Sequence, residues 1–418
     1  MSDNLSELLG RKGIKDNFFN KLGELSIPEG TPSPEALEKL AEEFLVGKAN
    51  VYGTASFYDF LKPENKGKKV YVCNGTACVC AGTQNKVIDT LKNYFKPDEI
   101  GHMTCLGRCH ENSAFHYNKK NYSGNAINHL GHLIKSESDL NQDSYHVNAT
   151  NQNILTRPFT SISEHYQPFL KALKTGSKKI LEEIKISNLR GRGGAGFPMG
   201  LKLEFCRKET NKTKFIICNA DEGDPGAYSD RYLLEKQPHT VLFGMLIAGY
   251  VTQASHGILY IRAEYPEAFN SVQKAIDTLR EEGLLGKNIA GSSFHFDLKI
   301  IQAQGSYICG EETALINSIE GQRPEVRVRP PYPAQKGLYN KPTVVNNVET
   351  LAALHFIVSN GGKTWKSIGT DRSSGTKLVS LDSFFKIPGL YEVEMGTNLI
   401  TVINEMGGGF KSPIKAIQ

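Results

Sequence analysis

Apolar positions in the first 62 residues recur at helical spacing, with Phe18, Leu22 and Leu25 on one face. The stretch TPSPEALEKLAEEFL then predicts a helix. Ser33 is its N-cap and Pro34 its first helical position. From Lys66 the pattern changes. KKVYVCNG reads as a short strand ending in a cysteine, residues 82–95 as a helix, 105–109 as a second Cys/Gly turn, and 114–117 as a short strand. Together these predict a compact α/β unit. Residues 136–156 are polar, show little periodicity and read as a linker.

Beyond Arg157 helical and strand patterns alternate. Strands are expected over 214–218, 257–262 and 294–301, and helices over 238–253, 266–282, 311–320 and 347–358. Such alternation predicts an α/β domain with an at least partly parallel sheet. After Trp365 the chain turns β-rich and runs into a short helix over 399–406.

Composition narrows the class. A length of 418 residues suggests two or three domains at ~150 residues each. The net charge of +5 is a mild excess and gives no basic face for nucleic acid. Apolar content of 39% permits an ordinary packed core. The longest apolar run, 241–251, is too short for the ~20 residues that span a bilayer. The opening MSDNLSELLGRKG has no apolar signal core, so secretion is not expected and a cytoplasmic location is.

Five of the eight cysteines lie between Cys73 and Cys109. Cys73 and Cys78 are separated by four residues, Cys105 and Cys109 by three, and each pair sits on a glycine-containing turn. Two such pairs can bring four thiolates around one centre. Zinc with four thiolates, a binuclear iron–sulfur cluster and unligated buried thiols are the three readings. Cys80 is a fifth thiol, and His102, His110 and His116 are nearby substitutes.

Four later segments carry binding chemistry. LRGRGGAGFPMGLKLEF satisfies G-x-G-x-x-G at Gly191, Gly193 and Gly196, but a charged helical segment precedes it, not an apolar strand. A standard dinucleotide loop is therefore not expected. Its glycines still admit close approach of an anion or flat ring, and Arg190, Arg192 and Lys202 add charge. FIICNADEGDPGAY places Asn219, Asp221, Glu222 and Asp224 at the C-terminal end of a strand, where α/β folds bind ligands. Glu311 and Glu312 open a helix, and structural capping is the competing role there. Asn346 and Asn347 precede another helix, and Asn346 could simply be its N-cap.

VYGTASFY, VCNGTACVC and TCLGRCHENSAF resemble the thioredoxin-like [2Fe–2S] subunit of NADH:quinone oxidoreductase. From about Arg157 onward the four segments resemble the NADH- and flavin-binding subunit of the same complex. The fusion resembles the diaphorase subunit of NAD-reducing hydrogenases and the flavoprotein subunit of NAD-dependent formate dehydrogenases. The resemblance implies a [2Fe–2S] cluster on Cys73, Cys78, Cys105 and Cys109. It implies an FMN site drawing on Gly191, Arg192, Gly193, Lys202, Asn219, Asp221, Glu222, Tyr307, Gly310, Glu311, Glu312, Asn346, Asn347 and Thr350. NADH would use Phe197, Phe205, Asp224, Glu312 and Tyr332. Departures from the family pattern are Gly107-Arg108 and His110-Glu111 beside the cysteines, Asp224 for Glu, Tyr332 for Phe, and Leu203 for Trp.

The implied organisation is a helical segment (1–62), a thioredoxin-like [2Fe–2S] domain (63–135), the linker (136–156), a Rossmann-like α/β FMN/NADH-binding domain (157–365) and the start of a β-grasp-like domain (366–418). No cysteine follows Cys309, so a C-terminal [4Fe–4S] site of the family is not expected. The expected function is a diaphorase module that takes a hydride from NADH and passes single electrons to iron–sulfur centres. Its partners would be redox subunits of a hydrogenase, formate dehydrogenase or respiratory assembly, peripheral at the membrane's inner face through them. The alternative is a truncated, non-catalytic subunit that binds flavin or a partner.

Overall fold

The computed structural model describes residues 3–136 and 145–417. Its strands are β1 (Val70–Cys73), β2 (Ile100–Met103), β3 (Phe115–Tyr117), β4 (Lys120–Tyr122), β5 (Val147–Ala149) and β6 (Phe215–Ala220). They continue with β7 (His256–Ile261), β8 (Asp297–Gln302), β9 (Thr343–Asn347), β10 (Thr376–Leu381) and β11 (Gly389–Glu394).

The first sheet has the order β2-β1-β3-β4. β1 and β2 run parallel, while β3 and β4 are antiparallel to their neighbours. This is the thioredoxin-like arrangement. Helix Gln84–Leu91 crosses from β1 to β2 and packs Val87 and Leu91 against Val70 and Val72. The helix expected over 82–95 is shorter than that. Gly82, at φ +67, separates it from a short helix, Thr76–Cys80, that carries Cys78.

The second sheet is fully parallel with the order β8-β7-β6-β9. Numbered within the sheet this is 3-2-1-4, the Rossmann-like order. Its strands read as continuous apolar runs because both faces are covered. Ile216, Cys218, Leu259 and Ile261 face one layer, which includes helices Pro238–Thr252 and Val348–Asn360. The alternate residues Ile217, Ile258, Tyr260, Ile301 and Val345 pack against Phe18, Phe19, Leu22 and Phe44. The N-terminal helices Phe18–Glu24 and Pro34–Phe44 thus supply the second layer of this sheet. Ser33 caps the latter helix as expected, accepting from the Ala36 N–H at 3.2 Å.

The third sheet joins hairpin β10–β11 to β5, which lies parallel to β11. This corrects the linker reading. Beyond β5, the Ile154, Leu155 and Thr156 N–H groups all donate to the Glu392 carboxylate, which is buried. Polarity misled there because the buried partner of that backbone lies more than 230 residues away. Residues 137–144 of the expected linker lie outside the described residues. Among the described residues, no helix is long and apolar enough to cross a membrane.

Candidate functional site

The strand order reverses between β6 and β9, and that switch point organises the site. Register places Cys218 beside Asn346 and Asn219 beside Asn347 at the two C-terminal ends. β9 itself escaped the sequence reading, although TVVNN is a β-branched run following Pro342. The N-cap expected at Asn346 falls one residue later. Asn347 Oδ1 accepts from the Thr350 N–H at 3.3 Å, and its Nδ2 donates to Asp230 at 2.6 Å. Asn346 keeps a buried Nδ2 with no partner, an amide donor available to a bound group.

The glycine loop runs between helices Ser177–Ile186 and Met199–Lys208 and closes over the end of β9. The Arg192 N–H donates to Thr350 Oγ1 at 2.8 Å. A Cβ on Gly193 would stand 3.1 Å from Asn347 Cβ, so the glycine permits this approach. The guanidinium of Arg192 turns to the third sheet, donating to the Ser374 and Thr376 carbonyls at 2.7 and 3.1 Å. Lys202 is the cation that reaches the switch point. Its Nζ lies 3.0 Å from both Glu312 Oε2 and the Val345 carbonyl.

The acidic turn follows β6. Asn219 Nδ2 donates to the Gly310 carbonyl at 2.8 Å, tying the turn to the segment carrying Glu311 and Glu312. Asp221 Oδ2 is sealed from solvent without a partner, though the residue as a whole is half-buried. Desolvation pushes its carboxyl up to about 7 against the opposing charge of Arg262. Tyr307 donates to Asp224 at 2.6 Å, and its ring lies over Gly223, where a Cβ would meet Cδ2 at 2.7 Å.

Two carboxylates of the expected set serve helix ends instead. Glu222 accepts from the Asp230 and Arg231 N–H groups at 3.1 and 3.2 Å. Glu311 accepts from Thr313 and Ala314 at 2.8 and 2.9 Å, the capping role weighed for it. Phe197, Phe205 and Tyr332 are 44, 46 and 56% exposed. Helix Met199–Lys208, which bears Phe205, packs on the short helix that Tyr332 precedes.

The cysteine centre lies against the other side of the acidic turn. Cys73, Cys78, Cys105 and Cys109 are buried, whereas Cys80 is exposed. Cys105 and Cys109 sulfurs are 3.4 Å apart. Hydrogen bonds from Cys109 and Cys73 pull the Cys105 thiol well below the ordinary range. Backbone N–H groups of Gly75, Gly107 and Gly226 point at Cys73, Cys105 and Cys109 over 3.4, 3.4 and 3.2 Å. A Cβ on Gly75 would meet Cys105 Sγ at 2.9 Å.

Among the described residues, no three Cys, His, Asp or Glu side chains converge as one metal ion requires. N–H donors to sulfur suit thiolate ligands. The histidines stand apart. His110 packs at a tilt against Tyr228, ring centroids 4.7 Å apart, and His116 pairs with Asn121 at 2.9 Å. The donor from Gly226 had no sequence signal, since it lies 117 residues from Cys109.

Two family models match the chain: a thioredoxin-like [2Fe-2S] ferredoxin over residues 15–137 and the Nuo51 FMN-binding domain over residues 184–355. The NAD-reducing hydrogenase HoxS subunit alpha of Cupriavidus necator is 35% identical over 404 residues, covering 90% of this chain and 67% of the relative. An NADH-quinone oxidoreductase subunit of Rhizobium meliloti is 46% identical over 245 residues, covering 58% of each protein. The chain thus spans less than two thirds of that relative's length. Among solved structures, an NAD+-reducing [NiFe]-hydrogenase in the H2-reduced state superposes with a TM-score of 0.81 at 30% identity, covering 94% of this chain and 70% of that one. With a [2Fe–2S] module ahead of an FMN-binding domain in one chain, the protein belongs to the family of the NAD-reducing hydrogenase HoxS alpha subunit.

Proposed function

We propose that the chain is an FMN-dependent NADH dehydrogenase (diaphorase) module that feeds electrons into a larger redox assembly. The observation that carries the reading is the β6/β9 switch point. There Lys202, the glycine loop and the partnerless Asn346 amide face one region, with the four-thiol centre behind the adjoining acidic turn. FMN, when bound, accepts a hydride and releases its electrons one at a time.

In this reading the protein's part is orientation and electrostatics. Lys202 supplies positive charge, Asn346 an amide donor, and Gly191 and Gly193 close backbone approach. Asn219, Asp221, Tyr307, Gly310, Glu312 and Thr350 line the same region. Arg192, Glu222, Glu311 and Asn347 hold that lining in place through the contacts above. Phe197, Phe205 and Tyr332 offer ring faces to the adenine end of NADH, while Asp224, held by Tyr307, faces the nicotinamide end. Cys73, Cys78, Cys105 and Cys109 hold the [2Fe–2S] cluster. Partners are other redox subunits of a hydrogenase, formate dehydrogenase or respiratory assembly, and the module works on the cytoplasmic side.

An anaerobic ultraviolet–visible titration of the purified chain, loaded with FMN, tests the reading. NADH should bleach the flavin band near stoichiometry. A chain that stays colourless after incubation with FMN, or whose flavin NADH leaves oxidised, would refute it.

A further inference from the structure

The cysteine turn carrying Cys105 and Cys109 is seated on the flavin-binding domain by residues in the segments that follow β6 and β7. Gly226 donates to Cys109 Sγ at 3.2 Å. Arg231, fully buried, donates to the Gly107 carbonyl at 2.6 Å. Tyr265 packs so closely on Gly107 that a Cβ there would meet its ring at 2.9 Å.

Arg262, the residue after β7, does more than seat the turn. Its side chain is 4% exposed. Nη2 donates to the Thr104 carbonyl, next to Cys105, at 2.7 Å. Nη1 donates to the backbone carbonyl of Glu222 in the acidic turn. Glu264 Oε1 lies 2.7 Å from Nη2 and is its nearest counter-ion. One guanidinium therefore grips the segment entering a cluster ligand and the turn that lines the flavin site.

An arginine keeps its charge at every working pH, and a buried charge is weakly screened. Reduction of a [2Fe–2S] cluster adds one negative charge, which a fixed neighbouring cation stabilises. We infer that Arg262 is a positioning residue for the iron–sulfur centre, whose charge raises the cluster's midpoint potential and whose fork fixes the Cys105 turn to the flavin turn. The inference rests on the assignment of Cys73, Cys78, Cys105 and Cys109 as cluster ligands. Glu264 offsets part of the cation's effect, so the two side chains act with opposite signs.

The test is a redox titration of the purified holoprotein, followed by the paramagnetic signal of the reduced cluster. Arg262→Gln should lower the midpoint potential. Arg262→Lys, which keeps the charge and loses the fork, should restore most of it. Glu264→Gln should move the potential upward. If Arg262→Gln does not fold, the upward shift in Glu264→Gln and the near-native value in Arg262→Lys carry the decision. A cluster signal whose potential is unmoved by Glu264→Gln, or moved the same way by Glu264→Gln and Arg262→Gln, would overturn the inference alone. Absence of any cluster signal in the unmodified chain would overturn the ligand assignment with it.

Discussion

Lys202 and Glu312 form a 3.0 Å ion pair at the end of β9, each with about a quarter of its side chain exposed. The lysine is anchored by the Val345 carbonyl on the same strand, so its position is set before any ligand arrives. An anion entering beside it gains a charge-assisted donor that needs no reorganisation.

Lys202→Met should therefore weaken FMN binding. A hydrogen bond to a charged group contributes about 1.5–3 kcal/mol, which corresponds to roughly a 10- to 100-fold rise in Kd. Glu312 would keep only its longer contact to Arg329, at 3.5 Å, and would repel the phosphate, pushing the loss toward the upper end. Quenching of flavin fluorescence, titrated with apoprotein, reads the change directly. An unaltered Kd would remove Lys202 from the site.

Cys80 shares its short helix with Cys78 but is exposed, while Cys73, Cys78, Cys105 and Cys109 are buried. Serine at Cys73, Cys78, Cys105 or Cys109 should abolish or strongly alter the cluster's paramagnetic signal. Serine at Cys80 should leave it intact. Iron and zinc analysis of the same preparations gives the second check: zinc at one per chain without iron would contradict the assignment.

Periodicity located what depends on local pattern. Helix Pro238–Thr252 ends one residue short of the expected span, and Ser33 caps where the dipeptide Ser-Pro placed it. The residues of the site were legible for a similar reason, because glycines, acids and asparagines cluster at strand ends. Their division of labour was not. Glu311 and Glu312 are adjacent and chemically alike, yet one caps a helix and the other pairs with Lys202; helix geometry and a neighbour 110 residues away decide which. Asn346 and Asn347 split in the same way, because the missed strand β9 continues to Asn347 and moves the cap. The hydrogen bonds that join the two redox modules run between residues over a hundred positions apart.

A buried histidine cluster contributes to the acid response of the fold. His165 stacks on His355 with ring centroids 4.0 Å apart, and His239 stacks on Phe159 at 4.5 Å. Burial, with the neighbouring histidines adding to it, lowers His165 from 6.5 to about 3, and burial lowers His239 from 6.5 to about 4. Both are therefore neutral in the native state at pH values where the unfolded chain already binds protons. Their contribution is complete above pH 6.5 and is lost as the pH falls from there toward 4 and 3. The slope is at most about 1.4 kcal/mol per pH unit for each histidine. Denaturant unfolding of the unmodified chain and of His165→Phe at pH 7, 6 and 5 isolates the histidine contribution, because the opposite contribution of Asp221, raised to about 7, is common to both proteins. His165→Phe fits an aromatic pocket and removes a buried Nε2 that has no partner. It should change stability at pH 7 by no more than about 1 kcal/mol and flatten the acid slope. Parallel slopes in the two proteins would contradict burial of His165 as a cause of the acid response.

The N-terminal helices give the sharpest separation between the two modules. Phe19 is fully buried, its ring 4.8 Å from Tyr58 and 6.3 Å from Tyr260 of β7. β7 lies beside β6, whose end carries Asn219, so loosening this layer acts on the sheet that builds the flavin site. Phe19→Ala should cost ~3–5 kcal/mol, the usual range for truncating a buried phenylalanine. The loss should appear as flavin release at lower temperature, read by the rise in free-flavin fluorescence. Phe115 is equally buried but packs within the thioredoxin-like sheet. Phe115→Ala should instead lower the temperature at which the iron–sulfur absorbance bleaches and shift flavin release less. If the N-terminal helices belonged energetically to the cysteine module, the two variants would show the same order of loss, cluster first. Flavin release that is unmoved by Phe19→Ala would show that the layer does not support the FMN-binding sheet.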